Sequence, residues 1–86
     1  MNASAPTNPP ADDASVMRAL QASHAEAAAG RSAESDRLLA NIAQRAPNHP
    51  AVLNELGVRM LSRGAHEQAQ LLFARATSAD PRHPAL

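Results

Sequence analysis

Apolar residues recur at helical spacing in separate runs, and glycine or proline divides the runs from one another. One run carries Leu53, Leu56, Gly57, Met60 and Leu61; the next carries Ala69, Leu72, Phe73 and Ala76. Spacings of three and four residues put each set on one face of an α-helix. Four helices are predicted: about 14–29, 32–46, 50 or 51 to 62, and 65–79. Asp12, Asp13 or Ser15 can cap the first, because their side-chain oxygens accept from exposed amides at a helix start. Ser32 is the candidate cap of the second, with Glu34 and Asp36 at the positive end of its dipole. Gly30 and Gly64 suit the left-handed turn that ends a helix. Pro47, Pro50 and Pro81 break the ladder, and a proline at position 50 can also open a helix, where its missing N–H costs nothing. Very short turns make each consecutive pair an antiparallel hairpin.

The punctuation repeats. Shifting the chain by 34 positions lays Gly30 on Gly64, Leu38 on Leu72, Leu39 on Phe73 and Ala40 on Ala74. The same shift lays Pro47, His49, Pro50 and Ala51 on Pro81, His83, Pro84 and Ala85. Small residues stand where the backbones of a hairpin must approach: Gly57 and Ala69 in the second, Ser23 and Ser35 in the first.

Composition agrees with helices. Alanine abounds, and Phe73 is the only aromatic residue in 86; a sheet core wants β-branched and aromatic residues. The fold class expected is all-α. The eight basic residues are all arginine, and eight acids balance them. That charge makes no basic stripe for nucleic acid. Cysteine is absent, which excludes disulfides and thiolate chemistry. No apolar run approaches the roughly 20 residues of a membrane span. Residues 1–13, rich in proline and alanine, read as a disordered leader and lack the basic-then-apolar form of a signal peptide. The cytoplasm is the expected compartment. Arginine as the sole strong base, with much alanine, suggests a GC-rich bacterial source.

From Pro50 onward the marks resemble the tetratricopeptide repeat, a unit of about 34 residues. Leu53, Leu56, Gly57, Met60, Ala69, Phe73, Ala76 and Pro81 fall on its signature places. Leu53 and Met60 depart from it, each setting an aliphatic side chain where the family has an aromatic one. A first unit, 16–49, matches less well, with Ala19, Ala22, Ser23 and Glu26 where large residues and glycine belong; Ser35, Leu39, Ile42 and Pro47 follow the pattern. The resemblance implies an α-solenoid of two helical hairpins with right-handed superhelical stacking. It divides residues 14–86 into a first unit (16–49), a second (50–83) and the start of a third (84–86). An incomplete third unit favours a piece of a longer protein.

The resemblance also implies a groove along the first helix of each unit, with Met17, Leu20, His24, Ala51, Asn54, Val58, Leu61 and Ser62 as its candidate residues, beside Ala27 and Ala28. Asn54 would bond a peptide backbone, and Leu20, Val58 and Leu61 its side chains. Alternatively, Leu20 and Leu61 fill the hairpin core. A clamp for a peptide carboxylate is not expected, because Glu55 holds the asparagine's place and the chain has no lysine.

The four histidines, His24, His49, His66 and His83, offer no pair at the i, i+3 or i+4 spacing of a helical metal site. No metal or cofactor is therefore expected. His49 and His83 recur at the repeat period, so they belong to the architecture first. No nucleophile, base and orienting group are readable together. Glu55 with Arg59, and Glu34 with Arg37, read as solvated pairs on exposed helix positions.

Three functions are consistent with these residues. The first is a non-catalytic interaction or scaffold module that binds a protein or peptide. The second is a self-association module, a homo-oligomer formed through its open ends. In the third, the chain is the N-terminal appendage of a larger bacterial enzyme. Its leader and repeats look like the front of tetratricopeptide proteins with an aspartyl/asparaginyl β-hydroxylase-like, sulfotransferase-like or glycosyltransferase-like domain. Nucleic-acid and membrane partners are not expected.

Overall fold

A computed structural model describes residues 10–80. Most of the expected leader (1–9) and the proposed start of a third unit (84–86) lie outside the described residues. The described residues are all-helical, with no strand among them: α1 (Asp13–Ala28), α2 (Ser32–Arg45), α3 (Pro50–Ser62) and α4 (His66–Ala79). α1 packs on α2, and α3 packs on α4. α3 also touches both helices of the first hairpin, whereas α4 meets α3 alone.

The helix starts follow from local chemistry. Asp12 caps α1, its Oδ1 accepting from the Ser15 amide at 2.8 Å. Ala11, within the expected leader, donates its N–H to the Arg45 carbonyl. α3 starts at Pro50 behind His49, whose Nδ1 accepts from the Ala51 amide at 3.1 Å. That bond leaves the ring hydrogen on Nε2, which donates to Asp13 at the head of α1 over 2.7 Å. The expected cap of α2 is different: Ser32 is already helical, and Arg31 precedes it without a side-chain cap.

Both hairpins turn in the same way. Gly30 and Gly64 have φ of 84° and 81°, the left-handed region that glycine enters freely. Around each glycine two amides fold back on the preceding helix: Gly30 to Ala27 and Arg31 to Glu26, then Gly64 to Leu61 and Ala65 to Met60. This paired motif satisfies carbonyls that a helix end would leave bare. It recurs one 34-residue unit later, as do the limits of α2 in α4.

The first core joins Val16, Leu20, Leu39, Ile42, Ala46 and Val52. Val52 is fully buried, so α3 enters the core of the hairpin before it. Each aliphatic side chain so covered contributes about 1.5–3 kcal/mol. The second hairpin closes on Leu53, Gly57, Ala69, Phe73 and Ala76, all buried. A Cβ built on Gly57 would overlap the Phe73 ring, so the absent side chain sets how near α3 and α4 come.

Two outcomes are expected. Gly57→Leu should lower stability in urea by about 1–3 kcal/mol, as overpacking does, while Gly57 in the native chain keeps a single cooperative transition. The second concerns acid. The Ser15 amide holds the Asp12 carboxyl below its ordinary value. A carboxyl depressed in the folded state stabilises fully above its unfolded value, about 3.9, and loses that contribution as pH falls through the folded one. Helicity of α1, followed by NMR shifts, should therefore decline in acid more for the native chain than for Asp12→Asn, which keeps a cap without titrating.

Candidate interaction surface

The groove residues expected from sequence lie on α1 and α3, two helices in contact. They are not equally available. Leu20 is 5% exposed and belongs to the core. Met17 and Leu61 are exposed at 44% and 39%, and Ala51, Asn54 and Val58 are half-buried. Ala51, Asn54, Val58 and Leu61 follow one another along α3 at helical spacing. Ser62 is exposed, its hydroxyl donating to the Arg59 carbonyl. Ala27 and Ala28 are exposed at the end of α1. Asn54 Oδ1 is buried and has no hydrogen-bond partner among the described residues. An acceptor left in that condition costs about 1–3 kcal/mol.

His24 is tied down: its Nε2 lies 2.9 Å from Glu55 Oε1. Glu55 in turn accepts from Arg59 Nε at 3.2 Å. Glu55 and Arg59 are not the solvated pair their i, i+4 spacing suggests, since their side chains are only 16% and 17% exposed. The crossing of α3 over the first hairpin covers them. Glu34 and Arg37 do pair on the exposed surface.

Arg59 reaches across the crossing. Its Nη1 donates to Asp36 Oδ1 at 2.6 Å, and its Nη2 lies 2.9 and 3.0 Å from the hydroxyls of Ser23 and Ser35. The two serines are wholly buried. Ser23 Oγ donates to the Ser35 carbonyl at 2.9 Å, and Ser35 Oγ returns the bond to the Ser23 carbonyl at 2.7 Å. A hydroxyl has one hydrogen. Both are spent on carbonyls, so the two oxygens face each other as acceptors, 2.9 Å apart. The guanidinium supplies the missing donor to both. Arg63 adds a bond to Asp36 at 3.1 Å. Two cations and two carboxylates thus balance around a polar seam.

One more ion pair stands at the turn between α1 and α2. Arg31 donates to Glu26, which holds that carboxyl below its ordinary value and the guanidinium above its own. Among the described residues no group of three or more His, Cys, Asp or Glu could hold a metal ion. No helix among them is long and apolar enough to cross a membrane.

No protein-family model, curated protein or solved structure matches the chain.

Replacing Arg59 by methionine keeps the stem and removes every donor. The loss should be about 1.5–3 kcal/mol in urea unfolding, since Asp36, Glu55 and both serines each lose a donor together. Arg59→Lys should recover only part, because one ammonium cannot fork toward a carboxylate and a serine pair at once. Full recovery by lysine would mean that charge alone, rather than the fork, joins the helices.

Proposed function

We propose that the chain is a non-catalytic interaction module of the tetratricopeptide kind, whose two hairpins stack as a right-handed solenoid and hold a protein or peptide against α1 and α3. The observation that carries this reading is the α3 stripe Ala51, Asn54, Val58 and Leu61, partly open, with Met17 exposed on α1. Apolar surface of this kind serves contact more often than chemistry. Asn54 adds an acceptor without a partner; turning its amide outward would let a peptide N–H fill it. Further support comes from the repeated glycine turn, the matching limits of α2 and α4, and the docking of Val52 into the preceding hairpin.

A photocrosslinker at residue 58 or 61 should capture a protein from a lysate of the source cell, while the same group at Asn41, exposed on α2, should not. Leu61→Glu should abolish the capture and leave helicity unchanged. Equal capture from both faces, or substrate turnover by the isolated chain, would overturn the reading.

A further inference from the structure

α4 carries two faces, and the first hairpin covers neither. Its buried face, Ala69, Phe73 and Ala76, packs on α3. A second face follows the ridge Glu67, Leu71, Arg75 and Ala79, each four residues from the next. Side chains at that spacing form one of the ridges by which helices interlock. Leu71, the second residue of the ridge, is 67% exposed and is the most exposed of the large apolar residues described. Together with Arg75 it forms part of the wall of a cleft of about 900 Å³, which Leu53 and Met60 from α3 and Leu72 and Ala79 from α4 also line. No residue of α1 or α2 lines it. A projecting leucine and an apolar recess therefore share one surface.

The charges on the ridge are arranged about that leucine. Glu67 stands four residues before it and Arg75 four residues after, both exposed. They are two turns apart, about 12 Å along the axis, too far to pair with each other. Arg75 bonds the Asn48 side-chain oxygen at 3.2 Å and touches no described carboxylate. Glu67 has no partner among the described residues.

We infer that this face pairs with the same face of a second copy, α4 antiparallel to α4, about a twofold axis at Leu71. In a twofold contact each residue meets the image of a residue equally far beyond the axis. Glu67 then faces the partner's Arg75, and Arg75 the partner's Glu67. The two Leu71 side chains meet at the axis, and because Leu71 also lines the recess, the two recesses open onto one another there. The chain's net charge is zero, so no long-range repulsion opposes the approach. Two helices some 20 Å long offer on the order of 400 Å² per copy, below the roughly 800 Å² of a standard interface. The dimer is therefore of the weak, micromolar class. This surface is separate from the α1 and α3 stripe, so either assignment can stand without the other.

Sedimentation equilibrium of the full chain from about 10 μM to about 1 mM should show monomer and dimer in exchange. Leu71→Glu should give monomer throughout, with unchanged circular dichroism, since the side chain lies outside the core. Glu67→Arg and Arg75→Glu should each weaken the dimer about three- to tenfold by setting like charges together, and the double reversal should restore it. Met17→Glu, on a helix α4 does not touch, should leave the dimer intact. A monomer at the highest concentration, a dimer indifferent to Leu71→Glu, or a double reversal no better than either single one would overturn the proposal.

Discussion

One guanidinium holds the two hairpins in their relation. Arg59 donates to groups on α1, α2 and its own helix. The bonds are mutually dependent. Ser23 and Ser35 can each give their hydrogen to the opposite carbonyl only because a donor from α3 satisfies both oxygens. Without it, two acceptors would face each other in a buried place, where an unpaired polar group is costly. The hydroxyls make the first hairpin tight, and the arginine makes that tightness depend on the second.

The two joints of the molecule thus use different physics. Within the second hairpin the contact is steric and apolar: Gly57 yields space and Phe73 fills it. Between hairpins the contact is mixed. Val52 supplies a dry anchor, whereas Arg59, His24 and His49 supply directed bonds. Apolar packing tolerates small sliding; a fork-shaped cation on fixed oxygens does not. The polar seam accordingly sets orientation, and the buried aliphatics supply most of the attraction.

Much of this was visible in the residues before any coordinates. Gly30, Gly64 and the prolines end helices for reasons local to the backbone, so four helices and their approximate limits were readable. Small residues at 23, 35, 57 and 69 pointed to close crossings through side-chain size alone. The role of Arg59 was hidden. Its nearest sequence partner, Glu55, made a familiar surface pair, and its other partners lie 23 to 36 positions away. Nothing local distinguishes an arginine that reaches solvent from one that reaches another hairpin. The same holds for Leu20: its periodicity suits a groove or a core, and only the seating of Val52 beside it decides. His49 as a cap could have been found, since its ring nitrogen stands in for the oxygen that asparagine or serine would bring.

The contact pattern has a mechanical side. α4 meets no helix but α3, and its Arg75 also bonds Asn48 in the turn before α3, so α3 is the main articulation through which a push or twist on one end reaches the other. A disturbance that loosens the 13 residues of α3 leaves the flanks joined through the Arg75–Asn48 bond, while one confined to α4 reaches the first hairpin only weakly. Influence along this chain passes chiefly through its middle segment.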